Sequence, residues 1–354
     1  DRTQFDNIPG LLCLENCILD IKTGQIQEHS PNNLLRIKMP VYYDPQARCP
    51  KFLKFLNECH TSPEDKITLI EGMANILLGN SLNLEKVIMH VGNGQNGKST
   101  LLKLVSGIIG IENTSSVSIH DLIDRRFTPA QLDGKMANIY ADITDKEINN
   151  LGVLKLLVSG DSITVEHKNQ PQFTMHSFAK HHFSCNKMPD IRDDTDATYR
   201  RFIVISWDKK FEGHNVNRNL LNELQEEKSG IFNLMIQNAM TLFRNKSFRY
   251  EQSIFDVSKE MKSQANRERQ FLLDNIEKND SKFVSKSELF SEYVSWCKNS
   301  GIKSVSSIKF NSEVSKQFGI DDQRRKVSGQ NIRVWGGISL KEPENQTFQT
   351  FSTK

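Results

Sequence analysis

Val87-Ile88-Met89-His90-Val91-Gly92-Asn93-Gly94-Gln95-Asn96-Gly97-Lys98-Ser99-Thr100 carries the reading of this chain. Val87–Val91 is a short buried strand by composition. Gly92 to Ser99 fits the pattern GxxxxGK[ST], and Leu101 to Ile109 continues as an apolar helix. Each residue type has a physical reason. Small residues let backbone N–H groups turn inward on phosphates. The Lys98 ammonium reaches the terminal phosphates, and the Ser99 hydroxyl can ligate Mg²⁺. The helix N-terminus adds positive potential. Gly92, Asn93, Gly94, Gln95, Asn96, Gly97, Lys98, Ser99 and Thr100 are therefore the candidate ATP-binding residues.

Working outward, Ala137–Ala141 reads as a second strand, Phe183–Cys185 as a third and Phe202–Ile205 as a fourth. Helical patterns separate several of them, so a parallel α/β core is expected over residues 85–210. A phosphate loop needs an acid to hold the Mg²⁺ shell, usually at the end of a neighbouring strand. Asp142 stands at that point and joins Ser99 as the metal-holding pair. Asp145 and Glu147 follow just beyond.

The flanks are different. Residues 1–46 read as short strands and turns. Pro50 opens a helix, and a second runs from Glu64 to about Leu78 behind Ser62-Pro63, ending at Gly79-Asn80. Leu220–Phe243 reads as helices broken at Ser229-Gly230. A long helix is expected from Ile254 to about Ile276. Helices at Leu289–Trp296 and Ser306–Phe318 and a hairpin over Lys326–Val334 complete a winged-helix outline, and the last residues read as a disordered tail.

The chain has 354 residues and a formal charge of +3, so nucleic-acid contact must come from local basic features. At 37% hydrophobic it can build a sizeable core. No apolar run approaches the ~20 residues of a membrane helix, and no membrane partner is expected. The six Cys have poor spacing for zinc and read as scattered reduced thiols. The sequence opens Asp1-Arg2, and we expect a fragment with a missing N-terminal neighbour.

The run from Gly92 to Thr100, then Phe127 to Gly134-Lys135, Asn138 to Asp142, Gly160-Asp161, Asn186-Lys187-Met188-Pro189 and Arg200-Arg201 resembles the superfamily-3 helicases. Of these it looks closest to the phage/plasmid primase-helicase family. Residues 11–80 look like that family's N-terminal helicase-associated region, and 285–340 like its C-terminal winged helix. The resemblance implies an AAA+-type P-loop core (85–210) behind an N-terminal helical collar region (1–84). A helical segment (211–250), a winged-helix-like domain (251–340) and a tail (341–354) would follow.

The implied activity is ATP-driven translocation on single-stranded DNA and unwinding of forked duplex. The implied assembly is a homo-oligomeric ring, most often a hexamer, with a primase or polymerase domain on the same longer chain. The setting would be the cytoplasm of a bacterial or archaeal host, the gene being carried by a phage or plasmid. Asn186 would orient the lytic water. Arg200 or Arg201 would be an arginine finger reaching the neighbouring subunit. A DNA-touching hairpin would have Ile163–Glu166 and Gln172–Met175 as arms. His167, Lys168 and Asn169 would be at its tip, with Lys168 the main phosphate contact. Glu166 departs from the family, which often has a basic residue there. Lys155 and Lys180 match further basic positions. The alternatives are a non-motor ATP-dependent DNA-binding or loading switch, or another P-loop phosphotransferase.

Overall fold

The computed structural model describes residues 6, 9–60, 62–144, 146, 148, 150–189, 191, 196–213, 216–251, 267–301, 304–327 and 329–341. They divide into two compact units, Asp1–Met261 and Lys262–Lys354. Asp145, Glu147 and the tail expected after Lys341 lie outside the described residues.

The first unit starts with a three-stranded antiparallel sheet, β1 (Leu11–Cys13), β2 (Ile18–Asp20) and β3 (Ile26–Gln27). Helix α1 (Pro50–Cys59) has proline in its first turn and no side-chain cap from Cys49. Its orphan N–H groups are met from far along the chain. Both Lys51 and Phe52 donate at 3.0 Å to the carboxylate of Glu227. Helix α2 (Pro63–Leu78) starts as the sequence predicts, with the Ser62 hydroxyl accepting from the Asp65 N–H at 3.3 Å, and stops at Gly79.

Five parallel strands form the central sheet: β4 (Val87–Val91), β5 (Thr114–Ser115), β6 (Ala137–Ile143), β9 (Lys180–Cys185) and β10 (Phe202–Ser206). Their spatial order is β10-β4-β9-β6-β5. The expected parallel α/β core is present. Helices α3 (Lys98–Ile109), α4 (Ile119–Asp124), α5 (Gly152–Ser159) and α6 (Asp196–Tyr199) fall between these strands. A separate antiparallel pair, β7 (Ser162–Val165) with β8 (Phe173–His176), lies in the crossover before β9.

Helices α7 (Leu220–Gln225) and α8 (Lys228–Asn245) follow the sheet. The break is at Glu226-Glu227, and α8 runs unbroken through Ser229-Gly230, where a break was expected. The glycine serves a close approach instead. A Cβ on Gly230 would stand 2.3 Å from the Arg48 carbonyl carbon. Leu14, Phe52, Leu104, Trp207 and Phe232 belong to one continuous apolar cluster. The N-terminal segment, the sheet and α8 thus share a core, and burial of their apolar faces against each other holds the unit together.

The second unit runs α9 (Arg267–Asn275), β11 (Ile276–Ser285), α10 (Lys286–Asn299), α11 (Ser307–Phe318), β12 (Asp322–Val327) and β13 (Gln330–Leu340), with sheet order β11-β13-β12. Its core is aromatic; Tyr293 stacks on Phe310 at 4.4 Å. The helix expected to reach Ile276 ends one residue earlier, and its stretch from Ile254 to Asn266 lies outside the described residues. Ile276 instead opens β11. That edge strand buries Ile276 and Val284 while its polar middle is mostly exposed, so it has no alternation to read.

Candidate functional site

The loop between β4 and α3 sits at the carboxyl end of the parallel sheet, the edge where open α/β sheets take their ligands. Its glycines are required by contact. A Cβ on Gly92 would meet the Trp207 carbonyl oxygen at 2.3 Å, and one on Gly97 would meet the Phe55 ring at 2.9 Å. Gly97 also has φ +95°, and Gln95 adopts the left-handed region at φ 58°. Buried Asn96 braces the turn, its amide donating to the Trp207 carbonyl at 3.0 Å and to the Asn93 carbonyl at 3.3 Å. Lys98 is buried and donates to the Gly92 carbonyl of its own loop. Burial lowers its pKa, and the neighbouring Cys185 and Asp142 oppose that shift. Ser99 is exposed in the first turn of α3, and Thr100 is half-buried beside it.

Asp142 and Asn186 arrive at the same edge from adjacent strands. Asp142 lies in β6, where the register with β9 shifts between Tyr140 and Ile143. Its φ is 65°, and its N–H donates to the Ser184 hydroxyl at 3.2 Å. This irregularity turns an exposed carboxylate out of the pleat. Asn186 is the first residue after β9 and is exposed. The order β4-β9-β6 therefore brings Lys98, Asn186 and Asp142 to one edge, with an exposed hydroxyl, carboxamide and carboxylate and a buried ammonium. That donor set fits a triphosphate with its Mg²⁺: cradle and ammonium for the anion, hydroxyl and carboxylate for the cation.

Beneath the loop runs a buried polar chain that sequence reading missed. The Trp207 indole N–H donates to Nδ1 of His90 at 3.2 Å. Nε2 of His90 meets Nδ1 of His182 at 3.3 Å, and Nε2 of His182 meets the Gly72 carbonyl at 3.2 Å. One assignment satisfies every contact, with both imidazoles neutral and carrying their proton on Nε2. Burial pushes the His90 pKa well down and that of His182 to about 4. These partners lie on α2, β4, β9 and the residue after β10, so no local signal reveals them.

The two arginines divide. Arg201 is turned inward, its guanidinium bonded to the Ala197 carbonyl, to Glu85 at 2.8 Å and to the Ser159 hydroxyl at 3.0 Å. Arg200 is exposed. Both precede β10, whose first residue Phe202 pairs with Val87 and whose last, Ser206, pairs with Val91. They are about 16 Å along the strand from their own glycine loop.

The expected hairpin is present in β7 and β8, with His167, Lys168 and Asn169 in the connecting turn and Asn169 at φ 62°. Lys168 and Asn169 are exposed, whereas His167 is half-buried and stacks on Phe173 at 5.5 Å. Glu166 is bound to Arg126, and the Gln172 amide donates to it at 3.2 Å. These contacts anchor the arm. Lys180 is buried in β9, with its ammonium 3.3 Å from the Asn83 carboxamide oxygen and its pKa lowered by burial to about 8, so it is no surface contact. In the second unit, Arg325 lies over Phe283 at 5.0 Å and Arg333 pairs with Asp322 at 3.4 Å.

Residues 1–61 match the family "D5 N terminal like", and residues 90–201 match a family of unknown function (DUF5906). A protein of Acanthamoeba polyphaga mimivirus named "Putative helicase L207/L206" is 26% identical over 60% of this chain. "Putative helicase 121R" of Invertebrate iridescent virus 3 is 22% identical over 63%. Together these matches support a likeness to the phage primase-helicase family. The chain spans 23% and 25% of the length of those two curated relatives. The apo structure of the NrS-1 C-terminal region shares the fold, with a TM-score of 0.52 and 15% identity, over 83% of this chain and 78% of that one. Among the described residues of this chain, no helix is long and apolar enough to cross a membrane, and no cluster of three His, Cys, Asp or Glu could hold a metal ion.

Proposed function

We propose that this chain is the ATP-driven motor of a DNA helicase, with an AAA+-type core and a winged-helix module in its second unit. One observation carries the reading: Lys98, Asp142 and Asn186 converge from three neighbouring strand ends beside a glycine loop too tight for any side chain at Gly92. The viral relatives named as helicases support it. The sheet edge binds the triphosphate. Lys98 leaves the Gly92 carbonyl for the terminal phosphates, and its burial strengthens that attraction. Ser99 and Asp142 hold the Mg²⁺, which neutralises phosphate charge when bound. Asn186 orients the attacking water.

Arg200, exposed and a strand's length from its own loop, serves a neighbouring copy in a ring. Lys168 and Asn169 in the hairpin turn meet the phosphates of single-stranded DNA. The test is ATP hydrolysis with and without single-stranded DNA, followed by strand displacement on a forked duplex. Displacement that needs ATP and stops with Lys98→Ala supports the motor. ATP-dependent DNA binding without displacement leaves a switch instead.

A further inference from the structure

The glycine loop rests on Trp207. This residue follows β10 directly, and its N–H donates to the carbonyl of Val91, the residue before Gly92, at 2.7 Å. Its carbonyl accepts from the Asn96 amide at 3.0 Å, and a Cβ on Gly92 would press on both that oxygen and the Trp207 Cβ. Its indole is buried edge-on to His60 at 4.4 Å, with the N–H given to Nδ1 of His90. We propose that the His90–His182 pair positions the loop for phosphate, tying it through Trp207 and Asn96 to the backbone of α2 at Gly72. His90, His182 and Trp207 are all buried and act as positioning residues. The inference rests on the nucleotide reading of the loop and deepens it.

Three features support it. The chain has fixed ends. An indole only donates and a backbone carbonyl only accepts, so the two imidazoles between Trp207 and Gly72 are held in one tautomer and one orientation. Their rings stack at 5.6 Å and 23°, so neither turns without losing the other. Helix α2 is shaped to receive the pair. A Cβ on Gly72 would stand 3.3 Å from the Ile88 side chain and 3.6 Å from Cε1 of His182, and its absence lets the ring reach the helix backbone. Packing alone also has no need of imidazoles here. Apolar rings would fill the same volume without the cost of desolvating two polar groups, whereas a satisfied polar network fixes one arrangement. That arrangement is what a preformed phosphate cradle requires.

The experiment titrates ATP and inorganic tripolyphosphate, both with Mg²⁺, into the wild-type chain, His182→Phe, Asn96→Ala and the double variant, with folding checked by circular dichroism. His182→Phe keeps a ring but makes neither bond, and neither of those bonds reaches the loop itself. The expected result is a loss of about 10-fold for both ligands alike, the scale of one hydrogen bond. Asn96→Ala cuts the same chain at its other end, so the double variant should lose no more than the larger single loss. Additive losses make the two residues independent and overturn the proposal. So does unchanged tripolyphosphate affinity in folded His182→Phe, or a loss confined to ATP. A measurement on the wild type stands whether or not the variants fold. Coupling is reciprocal, so saturating tripolyphosphate should slow hydrogen exchange at the Trp207 indole N–H by about 10-fold. Trp207 is the one tryptophan of the first unit, and its indole signal is read by NMR. An unchanged exchange rate overturns the relay. Failure of the wild type to bind either ligand overturns the nucleotide reading together with it.

Discussion

Arg201 and Glu85 close an ion pair at 2.8 Å across the amino-terminal end of the sheet, and this removes Arg201 from the protein surface. The neighbouring Arg200 is left as the exposed cation of the pair. Arg201→Ala should therefore lower stability by about 1–3 kcal/mol, the range for a partly buried charged contact that also hydrogen-bonds. Arg200→Ala should leave the melting temperature unchanged and nucleotide binding intact, yet lower hydrolysis by about 10³-fold. Mixing it with Lys98→Ala protein should restore part of the activity, because some interfaces then carry both groups. No recovery in mixed oligomers would place Arg200 outside the chemistry.

This division was not legible in the sequence, where the two arginines are adjacent and alike. The partners of Arg201 come from residues 85, 159 and 197, and only the fold assembles them. The same holds for Glu227 capping α1 and for the His90–His182 contact. The strand–loop–helix around Lys98 was readable because its signal is local: apolar run, fixed glycine spacing, apolar helix. The β7–β8 hairpin was placed by the family resemblance and not by a local signal of its own. Gly230 misled because a glycine inside a helical pattern looks like a break until the backbone of Arg48 is seen against it.

Lys98→Ala should abolish hydrolysis and unwinding. The folded state should survive, since the ammonium's bond is to the Gly92 carbonyl and the loop stays braced by Asn96. Circular dichroism and a turnover assay check both halves. Full turnover by a folded variant would remove the nucleotide assignment.

Asp142→Asn should lose Mg²⁺-dependent hydrolysis more than nucleotide binding. The amide keeps the shape of the turn but not the charge that attracts the cation. Titrating Mg²⁺ should show the variant needing more metal for half-maximal rate. A variant with an unchanged metal requirement would move the role to another acid.

Lys168→Ala should weaken single-stranded DNA binding and reduce the slope of log affinity against log salt by about 1, as loss of one phosphate contact does. Glu166→Ala should act differently. Freeing Arg126 leaves the slope at least as steep, while DNA stimulation of hydrolysis falls because the arm is no longer anchored. Fluorescence anisotropy across a salt series separates the two effects.

Acid should destabilise the first unit. Burial holds His182 at about 4 and His181 at about 3, below the ordinary value of 6.5. The unfolded chain therefore binds more protons than the folded one as pH falls below 6.5. Stability from these neutral imidazoles is complete above pH 6.5 and is lost as pH falls toward 4. Urea midpoints should drop across that window, and His182→Gln should flatten the drop. A flat profile in the parent would contradict the burial of these rings.

The parallel strands also give each copy a direction. The glycine loop stands at the carboxyl end of β4, and Arg200 stands before the amino end of the adjacent β10. A two-fold dimer with its strands antiparallel would set each loop against the other copy's Arg200 and would close at two copies. A contact that joins the loop of one copy to Arg200 of the next, without the reciprocal contact, repeats with the same sense at every step. It has no self-complementary stopping point, and so it ends only where the turn between copies divides a full circle, or continues as a spiral.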